Sequence, residues 1–156
     1  PNRKSYQECS SILSNVSIVK KLITFLLASL IYSCQTDVNN YIPFIEGYWE
    51  IVSVTKEYKK IKEFKISGTI DYFKINDDLS GYRKKVTPRF DGAFEISKDV
   101  SNFKLSIEAQ KLWINYLVNG VTYREEITRA NESSLIIANS DGFIYTYKPY
   151  EPLIFD

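Results

Sequence analysis

Carboxylates are the groups in this 156-residue chain best able to do chemistry, because it has no histidine and only two cysteines, Cys9 and Cys34. Asp71, Glu125 and Glu126 can exchange protons in principle, yet no nucleophile motif or phosphate-cradling loop accompanies them in the sequence. Without histidine, a Ser-His-Asp or Cys-His nucleophile, a His-ligated zinc or haem and a histidine pH switch are excluded within the chain. Two cysteines are too few for a disulfide scaffold or a four-cysteine metal site. The acidic run Asn76-Asp77-Asp78 lacks the spaced ligands and closing glutamate of a calcium loop, and reads as a hairpin turn. The expectation is a non-enzyme with no catalytic residue, cofactor or metal.

Glu125 is the most informative carboxylate. Strand alternation puts it on one face with Val121, Tyr123, Ile127 and Arg129. If that face points inward, the carboxylate needs a cationic partner, and the pair can orient the polar head of a ligand. If it points outward, the charges are simply solvated. The same counting gives Trp49 a face with Ile51, Tyr72 one with Ile70, and Phe94 one with Ile96, while Trp113 lies opposite Leu112 and Ile114. Trp49, Tyr72, Phe94, Trp113, Tyr123, Glu125 and Tyr145 are therefore the candidate ligand-binding residues.

Cys34 has a different context. Lys20-Lys21 precede the uncharged run 22–33, and the run ends at Ile31-Tyr32-Ser33-Cys34. A basic segment before an apolar run of about 7 to 15 residues is the architecture of a secretory signal, and it is shorter than the roughly 20 residues that span a bilayer. The chain starts at Pro1 and contains no methionine, so residues 1–19, which lack sustained periodicity, read as an upstream segment. Residues 1–33 are then upstream segment plus signal peptide, 34–44 a tether, and 45–156 the folded domain. Four basic residues against Glu8 leave with the signal, so the +1 formal charge splits into a basic leader and a remainder with 16 basic and 18 acidic residues. That remainder gives no basis for nucleic-acid binding.

The elements that must position these groups read as strands. The composition, 44% hydrophobic with 15% aromatic, suits one small globular domain. Residues 47–55, 69–75, 81–87, 92–97, 102–108, 112–118, 121–129, 134–138 and 143–148 alternate or carry β-branched and aromatic residues. Asn119-Gly120 marks a tight hairpin, and 92–97 is expected to pair with 102–108. Residues 56–65 read as a short helix or a charged loop. Two basic clusters, at Lys56, Lys59, Lys60, Lys62 and Lys65 and at Arg83, Lys84, Lys85 and Arg89, read as solvated surface. The absence of long crossovers predicts an all-β antiparallel up-and-down meander closing into an eight- to nine-stranded barrel, with a β-sandwich as the alternative.

Two resemblances extend this reading. Ile31-Tyr32-Ser33-Cys34 resembles the bacterial lipobox, which implies a lipid on Cys34, a membrane partner through that lipid, and a place in the bacterial cell envelope, with the outer membrane favoured by Gln35 in place of aspartate. Gly47-Tyr48-Trp49 resembles the G-x-W of lipocalins, and GTIDYFKINDDLSGYRKKVTPRF with DGFIYTYKPYE is similar to the lipocalin-like lipoproteins of Bacteroidetes, over about residues 45–151. The chain departs from well-studied lipocalins in lacking a T-D-x-x-Y segment and in having Lys148 where many place an arginine over the tryptophan. The resemblance implies a lipocalin-like barrel that binds a small apolar or amphipathic molecule. The alternative is an envelope accessory protein with a filled barrel, docking on a protein partner.

Overall fold

The computed structural model describes residues 37–152, apart from 90, 91 and 119. Among the described residues, nine antiparallel strands follow one short 3₁₀ helix, Val38–Phe44: β1 Gly47–Lys56, β2 Lys59–Glu63, β3 Ile70–Ile75, β4 Ser80–Pro88, β5 Phe94–Glu108, β6 Lys111–Val118, β7 Val121–Asn131, β8 Ser134–Asn139 and β9 Phe143–Pro149. Each strand from β3 to β9 pairs with the next, and β1 pairs with both β3 and β9. Eight strands therefore close a ring, which removes the exposed edges an open sheet would leave. Strand β2 is a short ribbon beside the second half of β1.

Local chemistry explains most of the turns. Val118 pairs with Val121 across a two-residue connection in which Gly120 takes φ +79°, a region open to glycine. The Asp78 carboxylate accepts the Ser80 N–H at 3.0 Å, and its bonds to Ser80 hold its pKa below the usual value. The acidic turn is thus occupied with its own backbone. Gly81 is needed for another reason: a Cβ there would collide with the Lys74 carbonyl and the Phe103 ring.

Two sequence expectations are corrected. Residues 56–65 are neither helix nor loop but the β1–β2 hairpin, turning through Glu57 and Tyr58 at positive φ. Residues 92–97 and 102–108 do not pair; the strand residues of both belong to β5, in which residues 97–99 bulge opposite Lys85, between the Lys84 to Val100 and Val86 to Ile96 pairs.

One end of the ring is packed shut. Val38, Tyr41, Ile42 and Phe44 from the stretch read as a tether lie against a core that includes Ile45, Trp49, Phe73, Phe103, Leu112, Ile127 and Leu135. Asp37 caps the helix by accepting the Asn39 N–H at 3.0 Å. The Trp49 indole N–H donates to the Ile45 carbonyl at 2.9 Å, tying the helix exit to β1. Lys148 does not cover this tryptophan. It pairs across the outer face with Glu50 at 3.0 Å.

Candidate functional site

The other end is open, and it contains a cavity of about 660 Å³. Parity and register decide its walls. In β3 and β4, Asp71 pairs with Lys85 and Phe73 with Arg83, so these four side chains share the inner face while Ile70, Tyr72, Lys84 and Val86 take the outer one. In β6 and β7, Ile114 pairs with Glu125 and Tyr116 with Tyr123, which brings Glu125 inward beside two tyrosines. Tyr145 and Tyr147 arrive from β9. A bulge at Val52, between the Ile51 to Tyr147 and Ser53 to Thr146 pairs, moves Val54 onto the same face as Ile51, correcting simple alternation along β1.

At the cavity floor lies one connected polar cluster. The Arg83 guanidinium donates from Nη2 to Asp71 Oδ2 at 2.9 Å and from Nε to Asp71 Oδ1 at 3.2 Å, a two-pronged pair. Nη2 also donates to the Tyr147 hydroxyl at 2.8 Å, and Nη1 donates to the Tyr116 hydroxyl and to Glu125 Oε2, both at 3.3 Å. The Tyr116 hydroxyl donates to Glu125 Oε2 at 3.1 Å. Beneath, the guanidinium carbon sits 5.1 Å from the centre of the Phe73 ring, where polar floor meets apolar core.

Burial makes this cluster matter. The side chains of Arg83, Asp71 and Glu125 are 19%, 10% and 13% exposed. Ions removed from water to that extent are tolerated when they are paired and hydrogen-bonded. Burial opposes the Arg83 charge, but the Tyr147 and Tyr116 oxygens and the Asp71 carboxylate outweigh it and hold its pKa well above the ordinary value. Burial pushes the Tyr116 and Tyr147 phenols far up, with Arg83 pulling the other way. Tyr145 is also raised, by burial first and then by the neighbouring Glu125 charge. Among the described residues, no group of three or more Asp, Glu, His or Cys is placed to hold a metal ion.

Of the candidate binding residues, Tyr123, Glu125 and Tyr145 stand on the cavity wall. Trp49 is buried in the closed end. Tyr72, Phe94 and Trp113 are outside: Phe94 stacks on Tyr48 at 4.7 Å, Tyr48 meets Tyr72 at 4.6 Å, and Arg124 lies 4.1 Å over Trp113. Arg129 is not the partner of Glu125 either. A bulge between Ile127 and Arg129 turns it to the exposed outer face, and Arg83 from β4 supplies the cation. Asp71, Arg83, Tyr116 and Tyr147 are the site residues that sequence reasoning missed. One signal was available: Asp71 lies between Ile70 and Tyr72 in an apolar strand and shares its face with Phe73 and Ile75, so an inward Asp71 would need a cation. Cys34 and the signal segment lie outside the described residues.

The second basic cluster dissolves once the faces are known. Arg83 is interior, whereas the Lys84 ammonium lies over the outer rings of Tyr72 and Tyr82, at 5.4 and 5.3 Å. In the first cluster, Lys56 covers Phe143 and Lys62 covers Phe64, each at 4.5 Å, and Lys60 pairs with Glu63 at 2.9 Å.

Residues 45–137 match the family model of the lipocalin-like domain. Among solved structures, this chain is similar to a lipocalin-like protein from Bacteroides uniformis, at 12% identity and a TM-score of 0.43, over 68% of this chain and 98% of that one. It is similar also to an uncharacterized protein from Bacteroides eggerthii, at 12% identity and a TM-score of 0.42, over 67% and 98%. No curated protein matches the chain.

Proposed function

This chain belongs to the lipocalin-like domain family, and from that premise we propose that its barrel binds a small amphipathic molecule in the open-end cavity. The observation that carries the reading is a cavity of about 660 Å³ set directly above a tightly filled core. That volume falls within the range of about 300 to 1,000 Å³ typical of small-molecule pockets. The ligand's apolar part lies along Ile51, Phe64 and the tyrosine rings, and its polar end reaches the floor at Glu125. A barrel acting only as a docking scaffold has no need of such a space, so the cavity counts against the filled-barrel alternative. Binding rather than catalysis also fits a chain without histidine, in which the floor carboxylates are engaged in a charge cluster.

The neutral fluorophore N-phenyl-1-naphthylamine tests the reading. Saturable fluorescence enhancement is expected, and Ser101→Trp, which fills the space beside Arg83, should abolish it. No saturable binding, or binding indifferent to Ser101→Trp, overturns the proposal.

The protein's place is proposed from the sequence alone: the bacterial cell envelope, held by a lipid anchor on Cys34, with the outer membrane as its membrane. Palmitate labelling of cells should mark the wild-type protein and spare Cys34→Ser. Equal labelling of both overturns the anchor.

A further inference from the structure

Arg83 has no donor left for an anion. Its five N–H groups are committed to Asp71, Tyr147, Tyr116 and Glu125. Asp71 matches its charge through two parallel bonds, so Glu125 leaves the cluster with one net negative charge. The hydrogen bonds that Glu125 accepts from Arg83 and Tyr116 both reach Oε2. Oε1 accepts no hydrogen bond from the described residues, and among those residues no side-chain oxygen or nitrogen fully shut from solvent lacks a partner. Oε1 therefore opens onto the cavity that Glu125 lines.

The surroundings of that oxygen are aromatic. Tyr123 stacks on Tyr116 with ring centres 4.7 Å apart and remains 45% exposed, and Tyr145 completes the wall. Lys84, Lys85 and Asp99 also border the cavity, but the Lys84 ammonium lies over the outer rings of Tyr72 and Tyr82 and none of the three bonds to the floor cluster, where two carboxylates face the one guanidinium. A carboxylate oxygen flanked by tyrosine rings favours a positively charged nitrogen, which gains from both the charge and the ring faces.

We infer that the cavity selects an organic cation, an amphipathic amine or quaternary ammonium, with its nitrogen between Glu125 Oε1 and the rings of Tyr123 and Tyr145. The inference rests on the reading of the cavity as a binding site and adds the chemical class of its ligand. It also predicts discrimination against carboxylates, because Glu125 repels them and Arg83 cannot receive them.

Calorimetric titration with octyltrimethylammonium, 1-octanol and octanoate tests this, since the three share one alkyl chain and differ in the head. The cation should bind about tenfold more tightly than the alcohol, with octanoate weakest. Glu125→Gln keeps an acceptor for Tyr116 and should erase the preference, bringing the cation's affinity down to that of octanol measured in the same variant. Should that variant fail to fold, Tyr123→Leu, at a half-exposed position, should weaken the cation about threefold more than it weakens octanol. Equal affinities for the three heads, tightest binding of octanoate, or an unchanged preference in whichever variant folds overturns the cation assignment. If N-phenyl-1-naphthylamine binds the wild-type protein in those experiments, the reading of the cavity as a binding site survives; if neither it nor any octyl compound binds, both fall.

Discussion

Below Arg83 the barrel is filled by Ile45, Trp49, Phe73, Phe103, Leu112, Ile127 and Leu135; above it, the same eight strands enclose a space lined by tyrosines, serines and charged groups. Strand number and closure are shared by the two ends, so neither explains the contrast. An eight-stranded ring is wide enough either to be filled by side chains or to hold one ligand. The closed end has a helix packed against its strands and side chains that meet across the axis. At the open end, Ser67, Thr69, Ser97 and Ser101 are too short to meet, and Arg83, Glu125, Tyr116 and Tyr147 are bound to one another in the floor cluster. Apolar packing is concentrated at one end and polar, charged lining at the other, and Arg83 on the Phe73 ring is their boundary.

The boundary is where that contrast should break most severely. Arg83→Ala leaves Asp71 and Glu125 buried without their cation and should cost about 4 kcal/mol in denaturant unfolding. Replacing Arg83 together with both carboxylates by apolar residues of similar size should recover most of that loss, since it removes the uncompensated charges as well as the pair. At the closed end, Leu112→Ala opens a cavity in a site that is fully buried and should cost about 3 kcal/mol, by the same measurement. It should leave N-phenyl-1-naphthylamine binding intact, which separates packing from recognition.

Alkali probes the floor more gently. Tyr116 and Tyr147 have pKa values raised by burial above the ordinary 10.0. Below that pH both folded and unfolded chains keep these protons; above it the unfolded chain loses them first, so stability should fall as pH rises beyond 10, by up to about 1.4 kcal/mol per pH unit for each tyrosine. Unfolding curves taken across that range should show the decline, and Tyr147→Phe should flatten it. The smallest effect is expected outside the barrel. The pair of Lys60 with Glu63 is more than half exposed, and Lys60→Ala should change stability by less than about 0.5 kcal/mol.

Much of the scaffold was legible in the residues. Alternation and turn chemistry gave the meander and its closure, and the Asn119-Gly120 hairpin fixed the pairing that puts Glu125, Tyr123 and Ile127 on one face. The site was legible only in part. Alternation assigns residues to two faces without saying which is inner, and in β3 both faces are apolar because Ile70 is buried on the outer side. Tyr72 was misplaced for that reason, and Phe94 because it packs on Tyr48 outside the barrel, a contact no local pattern shows. Trp113 was placed opposite Leu112 and Ile114 but its side of the wall was not decided. Bulges did the rest: an extra residue reverses parity, so Arg129 left the face that counting had given it. The 92–97 segment was misread because continuous strand and hairpin look alike where a bulge interrupts alternation.

By itself, the sequence determined the antiparallel meander, the turns at 76–80 and at Asn119-Gly120, the exclusion of histidine chemistry and the presence of a carboxylate that would need a cation if buried. Those follow from neighbours a few residues apart, where side-chain type and backbone preference act directly. Only the tertiary structure decided which cation answers Glu125 and where the cavity ends. Arg83 lies 42 positions from Glu125 and 64 from Tyr147, and contacts at such separations are set by how the ring closes and where its bulges fall, which no local pattern encodes.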